Sequence, residues 1–214
     1  PLGLVGLKDY SFTKLDINNT DLLEKNLEGV DAIVHLAGMS SRYSCLGNSY
    51  GAFLSNVHTS ASLIESARRC EVKNIVFASS IRISNNNILL EKDPYTISKY
   101  IAELWLQTVS QISDVNVNII RFSNIYGLGQ GEGTVIQDFI IRAMRGEYPV
   151  KYEGEVRMQF LYIDDAVDAI YHILRNSDSS NAYTVKGMDS VSLYELADLI
   201  INEAVKSEIL FDER

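Results

Sequence analysis

Short apolar runs alternate with longer segments of helical periodicity along the whole chain. The runs are rich in β-branched residues and end in Gly, Ser or Asn, as buried strands do. The segments between them carry an apolar residue at every third or fourth position, which is typical of amphipathic helices. Because strands and helices alternate, the pattern predicts a parallel sheet covered on both faces, a doubly wound α/β fold.

The bounds of the predicted elements follow from this pattern. Strands are expected at 10–17, 28–38, 72–80, 115–127 and 182–187. Helices are expected over 51–70, 94–112, 134–147 and 192–205, and a short strand leads into a helix within 160–177. Pro94 suits the first turn of its helix, and Gly146 suits the end of the next one.

The composition is that of a globular protein, with 46% apolar and 22% charged residues. Its 214 residues suffice for one large domain or slightly more, with a substantial core. The net charge of −9 argues against the basic surface that binds nucleic acid. A phosphorylated small molecule remains compatible with this charge, because N–H groups at helix N-termini bind phosphate locally.

Cysteine, histidine and hydropathy patterns bear on location and metal binding. Cys45 and Cys70 are too few for a disulfide framework and indicate a reducing compartment. His35, His58 and His172 show no metal-ligand spacing, so we predict no metal. No apolar run reaches the roughly 18 residues that span a membrane, and no leader pattern begins the chain. We therefore expect a cytoplasmic protein without a membrane partner.

Polar or small residues follow the predicted strands. They are Asp16–Ile17, Ala37–Gly38, Ser79–Ser80 and Phe122–Asn124. In doubly wound sheets ligands bind at the carboxyl ends of the strands, so we expect these residues to meet at one edge. Tyr95 and Lys99 begin the helix after the serine pair and are expected to reach the same edge.

Tyr95 and Lys99 form a candidate proton-transfer pair, because their i, i+4 spacing puts both side chains on one helix face. A phenol has a pKa of about 10, and a nearby ammonium lowers it, which suits a general base. The alternative is a half-buried tyrosine beside a solvated lysine. Tyr10 and Lys14 have the same spacing but lie inside a predicted strand, before its carboxyl end. We interpret that second pair as a coincidence.

Five stretches of the chain resemble, in order, the extended short-chain dehydrogenase/reductases, the NAD-dependent epimerase/dehydratase family. They are DAIVHLAG, NIVFASS, PYTISKYIAE, IIRFSNIYG and FLYIDDAVDAI. The resemblance runs from about residue 10 to residue 206 and is closest to nucleotide-sugar epimerases. It implies a Rossmann-like fold with part of a smaller substrate-binding lobe, NAD as cofactor and a nucleotide-diphosphate sugar as substrate. It also leads us to expect a homodimer.

The resemblance implies a role for each matching residue. Tyr95 matches the catalytic base, Lys99 the lysine that also bonds the nicotinamide ribose, and Ser80 the serine that bonds the reacting sugar oxygen. The implied cofactor contacts are Asp16 and Ile17 beside the adenine, Leu36, Ala37 and Gly38 under the ribose and diphosphate, and Asn56 and Phe122 near the nicotinamide. The implied substrate contacts are Ser79, Asn124 at the diphosphate, and Arg157.

Some of these residues, and a few others, also have a purely structural interpretation. Leu36, Ala37 and Phe122 would be core residues in any α/β fold. His35 is expected to be a hydrogen-bonded strand histidine without a catalytic role. Asp164 and Asp165 are expected to form the N-cap of their helix.

The chain departs from the family pattern at three places. No glycine-rich pyrophosphate turn is present, since GLVG at 3–6 neither follows a strand nor opens a helix. We therefore expect the polypeptide alone to bind dinucleotide poorly. The segment between Ser80 and Tyr95 is short and has no Tyr-Gly. Arg157 lies one position before Met158, where the family commonly places a phosphate-binding arginine.

We expect a dinucleotide-binding core over 1–123, incomplete at its N-terminus, and a substrate-binding lobe over 124–214, incomplete at its C-terminus. The favoured function is an NAD-dependent nucleotide-sugar epimerase that removes and returns a hydride at a sugar carbinol. A dehydratase is disfavoured, because Ile81 and Arg82 stand where it would carry acidic residues. A carbonyl reductase and a non-catalytic dinucleotide sensor remain alternatives. NADP also stays open, since the discriminating residue follows a strand upstream of this sequence.

Overall fold

The computed structural model describes residues 10–84, 93–131, 133–148 and 156–206. The chain divides into two compact units. Unit one comprises Pro1–Ile75 and Glu91–Val117, and unit two comprises Val76–Leu90 and Asn118–Arg214. None of the helices in the described ranges is long and apolar enough to cross a membrane.

In the described residues, unit one consists mainly of helices and contains one complete strand. Its elements are α1 (Thr20–Leu27), β1 (Ala32–His35), α2 (Arg42–Gly47), α3 (Ser49–Ala52), a π-helix (Phe53–His58), α4 (Thr59–Arg69) and α5 (Pro94–Gln111). The last three elements are packed together, because α5 contacts both the π-helix and α4. The predicted helix over 51–70 is thus confirmed, with one π-helical segment inside it.

Unit two begins within β2 (Asn74–Ser80), which leads into a 3₁₀ helix (Ile81–Ser84). Its other elements are β3 (Asn116–Phe122), β4 (Asn124–Tyr126), α6 (Val135–Met144), β5 (Arg157–Tyr162), α7 (Ile163–Asn176), β6 (Asn181–Val185), β7 (Ser190–Ser192) and α8 (Leu193–Lys206). Gly146 has φ +69° just after α6, as expected of a residue that ends a helix.

The main sheet has the strand order β1-β2-β3-β6 and is parallel, which confirms the predicted Rossmann-like α/β fold. Its β3 and β6 pair from Asn118 opposite Asn181 to Phe122 opposite Val185. A second sheet has the order β4-β5-β7, with β5 and β7 antiparallel. The sequence pattern did not predict this second sheet, because it joined β3 and β4 into one run across Ser123.

Unit two has two apolar clusters. One lies between the main sheet and α7 and contains Val76, Ile120, Phe122, Leu161, Ala166 and Ile173. The other lies where α6 meets α8 and contains Phe139, Leu193, Leu196 and Ala197. Each α-helix therefore buries one apolar face, as its periodicity predicted.

Two predictions about local structure need correction. The strand predicted at 10–17 is not formed, since the backbone of residues 10–16 is irregular and pairs with no strand of the described chain. An alternating pattern becomes a strand only where a neighbour completes its hydrogen bonds. Asp164 and Asp165 do not cap α7, because Tyr162 is the N-cap and the two carboxylates lie in the first turn. There they face the positive end of the helix dipole. The helices α1 and α2 had not been predicted.

Candidate active site

The start of α5 is fixed by a buried cap, and this determines where Tyr95 and Lys99 lie. Asp93 accepts a hydrogen bond from the Tyr95 N–H at 3.1 Å and another from the Thr96 hydroxyl at 3.0 Å. Pro94 occupies the first turn, as predicted. The Asp93 carboxylate is also paired with the Arg42 guanidinium of α2 at 2.9 Å. The cap and the ion pair with Arg42 fix the first turn of α5, and with it the positions of Tyr95 and Lys99.

Lys99 is not a solvated surface lysine. It is 6% exposed, whereas Tyr95 is half-buried. Burial lowers the pKa of the Lys99 ammonium from 10.5 to about 8, against the opposing effects of the Cys45 thiol and the Glu103 carboxylate. Near neutral pH the side chain is mostly protonated, yet close enough to its pKa to respond to a bound ligand.

Gly38, just beyond β1, has an exposed backbone that lies close to the Asn56 amide and near Lys99. A Cβ atom at this position would lie 3.7 Å from Lys99 Nζ and 2.5 Å from Asn56 Oδ1. The φ of +145° also disfavours any other residue. An exposed backbone beside a buried ammonium is the arrangement expected where a ligand approaches closely.

Asn56, in the π-helix, holds this turn to α5. Its Oδ1 accepts from the Met39 N–H at 2.8 Å, and its Nδ2 donates to the Met39 carbonyl at 3.1 Å and to Ser98 Oγ at 2.8 Å. Ser98 Oγ donates in turn to the Tyr95 carbonyl at 2.8 Å. The Asn56 amide is therefore fully hydrogen-bonded at 1% exposure.

His35 supports Asn56 from the end of β1. Its Nε2 lies 3.0 Å from Ser60 Oγ, and that hydroxyl donates to the Asn56 carbonyl at 2.6 Å. Because Ser60 has a single proton, His35 Nε2–H is the donor in the first bond. Burial, with Lys99 adding a smaller effect, lowers the pKa of His35 from 6.5 to about 4. His35 is thus a neutral, hydrogen-bonded strand histidine, as expected.

The other predicted cofactor residues of unit one lie near the surface. Asp16 Oδ1 accepts from the Asn18 N–H at 3.0 Å, which stabilises a turn, and Ile17 is half-buried. Leu36 is 60% exposed and Ala37 is exposed as well, so neither is a core residue in this chain. Leu36 in particular presents an apolar surface directly before Gly38.

In unit two, the predicted residues lie at the carboxyl ends of β2 and β3. Ser79 and Ser80 end β2 and are both buried, and Ser80 Oγ accepts from the Arg82 N–H at 3.3 Å. Phe122 ends β3 and lies in the apolar cluster beneath α7. Its aromatic ring is therefore a core side chain, whatever further contact it makes.

Asn124 and Arg157 both have partners within unit two. Exposed Asn124 donates from Nδ2 to the Gln159 carbonyl at 3.0 Å, which leaves its Oδ1 available. Arg157 donates to Ser190 Oγ at 3.1 Å, to the Ser190 carbonyl at 2.6 Å and to the Glu195 carboxylate at 3.2 Å. The guanidinium thus ties β5 to the beginning of α8.

Sequence reasoning missed the residues that hold the site together. Ser98 gave no signal beyond its place before Lys99, and Met39 takes part through its backbone alone. Asp93 was a recognisable signal, since an aspartate directly before Pro94 is typical of a helix N-cap. The segments GLVG at 3–6, most of 81–93 and most of YPVKYEGEVR lie outside the described residues.

Comparisons with known proteins agree on one family. A family model described as the NAD dependent epimerase/dehydratase family matches residues 4–185. A dTDP-glucose 4,6-dehydratase of Streptomyces niveus is 26% identical over 208 residues, which cover 92% of this chain and 62% of that protein.

Solved structures give the same result. A UDP-N-acetylglucosamine 4-epimerase of Methanobrevibacter ruminantium, solved with UDP-N-acetylmuramic acid, matches with a TM-score of 0.79 and 26% identity over 94% of this chain and 70% of its own. A mutant dTDP-glucose 4,6-dehydratase of Streptomyces venezuelae, solved with NAD, has a TM-score of 0.87 and 22% identity over 94% of this chain and 66% of its own. At 22% identity the second match shows the fold alone. This chain spans 62 to 70% of the lengths of the three proteins.

Proposed function

This chain belongs to the NAD-dependent epimerase/dehydratase family, and from that premise we propose that it is a nucleotide-sugar epimerase. Its relatives are enzymes, and NAD is the cofactor of the family. The observation that supports catalysis most directly is the burial of the Lys99 ammonium beside the open backbone of Gly38, one helical turn after Tyr95. A solvated lysine on an ordinary helix face would not be buried in this way.

The residues of unit one fit the nicotinamide end of NAD. Lys99 would donate to the ribose hydroxyls, the exposed backbone of Gly38 would lie against the cofactor, and exposed Leu36 offers an apolar surface beside it. Asp16 and Ile17 are assigned to the adenine, and Phe122, a residue of unit two, is assigned to the nicotinamide. When bound, NAD supplies the hydride acceptor of the oxidation and the hydride donor of the return step.

The protein's part in the reaction is proton transfer and positioning. We assign Tyr95 as the base that takes the proton from a sugar hydroxyl, and Ser80 as a donor to the same oxygen. Lys99 favours the phenolate only while it is charged. With its pKa at about 8, roughly nine-tenths of Lys99 is protonated at pH 7. Asn56 and Ser98 act as positioning residues, since their hydrogen bonds hold the turn at Gly38 and Met39 to the first turns of α5.

Unit two offers groups for the sugar nucleotide. The free Oδ1 of Asn124 and the serine hydroxyls at the end of β2 are the groups we assign to substrate. Arg157 is assigned to the phosphates, although its contacts with Ser190 and Glu195 would have to rearrange or be shared. The electrostatic attraction of a diphosphate for a guanidinium is strong enough to compete with one exposed carboxylate.

The residues after Ser80 favour an epimerase over a dehydratase of the same family. Ile81 and Arg82 begin the 3₁₀ helix and supply no acidic group there. The elimination of water that a dehydratase performs needs a further acid and base. A carbonyl reductase remains the second candidate, since it would need only the Ser-Tyr-Lys set.

Proton NMR of the full-length protein in D₂O separates these functions. The protein would be incubated with NAD and UDP-glucose, UDP-N-acetylglucosamine or dTDP-glucose. An epimerase converts the sugar without incorporating solvent deuterium, because the hydride returns from the cofactor. A 4-keto-6-deoxy product carrying deuterium would identify a dehydratase. A parallel incubation would supply NADH or NADPH and a small aldehyde or ketone. Reduction of that compound, with no sugar nucleotide converted, would identify a reductase, and NAD binding without turnover in either incubation a sensor.

We also propose a homodimer in the cytoplasm. Apolar side chains are exposed on α5 and on α3 and the π-helix, which pack against α5: Tyr50, Phe53, Ile101, Leu104 and Trp105. A second copy of the chain is a suitable partner for such a surface. Sedimentation of wild type and Trp105→Glu tests the dimer. Both cysteines are unpaired, which suits a reducing compartment.

A further inference from the structure

Two buried serines among the described residues of unit two have hydroxyl groups without a hydrogen-bond partner. In the part of the chain that the structure describes, the buried polar side-chain atoms in this state are Ser79 Oγ, Ser123 Oγ, Thr134 Oγ1 and Gln137 Oε1. Thr134 and Gln137 are only half-buried as residues. Ser79 is 6% exposed and Ser123 is 8% exposed. The two serines are therefore the unusual pair.

Ser79 and Ser123 lie on the same side of the main sheet. Val76 and Ala78 of β2 and Ile120 and Phe122 of β3 face the cluster beneath α7. Because side chains alternate along a strand, Ser79 and Ser123 point away from that cluster. The two strands are neighbours in the sheet, and both serines stand at its carboxyl edge. Ser123 is held there by its backbone, whose N–H donates to the Val185 carbonyl at 3.1 Å.

A buried hydroxyl without a partner is unfavourable by about 1–3 kcal/mol. Alanine would avoid this penalty at either position without changing the backbone. Two such hydroxyls on the same side of the sheet, both at its ligand-binding edge, are better explained by a partner that arrives with a ligand. A neutral hydroxyl pair can both donate and accept, which suits the hydroxyls of a sugar better than a phosphate, since phosphate prefers cations and N–H donors.

Resting on the proposed function, we infer that Ser123 hydrogen-bonds the sugar of the substrate and helps to select it. In chain order Ser123 comes between Phe122, assigned to the nicotinamide, and Asn124, assigned to the diphosphate, although its side chain lies on the opposite side of the sheet from the Phe122 ring. In a nucleotide-sugar substrate the hexose is the part between the reacting carbon and the diphosphate. Ser79, on the neighbouring strand, faces the same region and provides a second hydroxyl.

Binding by full-length Ser123→Ala tests the inference. Dissociation constants would be measured by calorimetry in the presence of NAD, for UDP and for UDP-glucose, UDP-N-acetylglucosamine and dTDP-glucose. We expect the variant to bind UDP as wild type does and to bind its preferred sugar nucleotide about tenfold more weakly, which corresponds to one hydrogen bond of about 1.4 kcal/mol. Its thermal stability without ligand should stay equal or rise, because an unpaired buried hydroxyl is removed.

Ser177→Ala is the matched control. Ser177 Oγ hydrogen-bonds Asn118 Oδ1 at 2.8 Å, near the opposite end of β3. This change should lower stability and leave the ratio of sugar-nucleotide to UDP affinity unchanged. An unchanged ratio in Ser123→Ala, with wild type preferring the sugar nucleotide over UDP, would overturn the inference alone. If wild type binds no sugar nucleotide more tightly than its nucleotide, the proposed function fails and the inference fails with it.

Discussion

The side-chain amide of Asn56 forms hydrogen bonds with both backbone groups of Met39. Oδ1 accepts from the Met39 N–H at 2.8 Å, and Nδ2 donates to the Met39 carbonyl at 3.1 Å. An asparagine so placed acts like a paired strand, because it completes both backbone groups of one residue. The second Nδ2 proton goes to Ser98, so one amide joins the turn after β1 to α5.

Replacing Asn56 with aspartate should separate these contacts. The Nδ2 donor becomes an acceptor that faces the Met39 carbonyl and Ser98 Oγ, in a site with 1% exposure. We expect the free energy of unfolding to fall by about 2–4 kcal/mol, measured by urea denaturation, and turnover to fall with it. Asn48→Asp is the matched control, since that exposed side chain caps α3 by accepting from the Gly51 N–H and aspartate caps equally well. A loss at Asn56 no larger than at Asn48 would contradict the structural role.

Replacing Tyr95 with phenylalanine should abolish turnover while leaving NAD affinity nearly unchanged. The hydroxyl is needed for proton transfer, whereas the ring only packs. We expect kcat to fall by at least about a thousandfold, within the range of general acid–base catalysis. Tyr43→Phe, at a residue that is 86% exposed, is the control. Turnover within about threefold of wild type, a difference below about 0.7 kcal/mol in barrier, would remove Tyr95 from the mechanism.

Replacing Lys99 with methionine should increase the stability of the fold below pH 8 and decrease its affinity for NAD. Below pH 8 the wild-type protein buries a charged amine, whose pKa falls from 10.5 in the unfolded chain to about 8 in the fold. The unfolded state therefore binds more protons between pH 8 and 10.5, and stability rises with pH across that window. The rise amounts to about 3 kcal/mol for this residue.

In Lys99→Met the free energy of unfolding should not show this increase between pH 8 and 10.5. Urea denaturation at several pH values in that window would measure it. Its NAD affinity should fall by roughly 1.5–3 kcal/mol, because hydrogen bonds from a charged donor are lost. Lys25→Met, at an exposed position of α1, is the control for both measurements. A variant whose pH dependence and NAD affinity both match those of Lys25→Met would return Lys99 to an ordinary helix face.

His35 should make the fold sensitive to acid. Its pKa is lowered to about 4 in the fold, against 6.5 in the unfolded chain. Between these values the unfolded state binds the proton, so stability falls as pH drops from 6.5 to 4, by about 3 kcal/mol in total. His35→Gln keeps a hydrogen-bond donor for Ser60 but cannot titrate, and should show a shallower acid limb. Exposed His172→Gln serves as the control, and equal acid limbs in both variants would refute the assignment.

The sequence was a good guide to what depends on periodicity. The strands β2 and β6 and the helices α5, α6, α7 and α8 were all predicted, because each buries a face whose spacing can be counted. The pattern misled at 10–17, where alternation existed without a partner strand. It also joined β3 to β4, because Ser123 interrupts neither the apolar run nor its β-branched character.

The sequence named candidate functional side chains and did not name the residues that support them. Lys99 and Gly38 were named from motifs, and the structure brings them together with Asn56 in unit one. The bonds of Asn56 to Met39 and Ser98 could not be predicted, because they depend on how the π-helix turns that amide. Hydrogen-bond geometry between residues far apart in the chain leaves no periodic trace in a sequence.

The π-helix has a consequence for how this chain tolerates length changes. A π-helical turn holds about one residue more than an α-helical turn, so Phe53–His58 accommodates one extra residue while the helix continues from α3 into α4. Deleting a single residue here should restore an α-helical turn and keep α4 in phase with α3. The side chains within the segment would change direction instead, so Asn56 would no longer face Met39, even though composition and hydropathy would scarcely change. A one-residue deletion in this segment should therefore break the Asn56 contacts while α4 keeps its packing, whereas a one-residue deletion inside α4 should turn the later residues of that helix by about 100°.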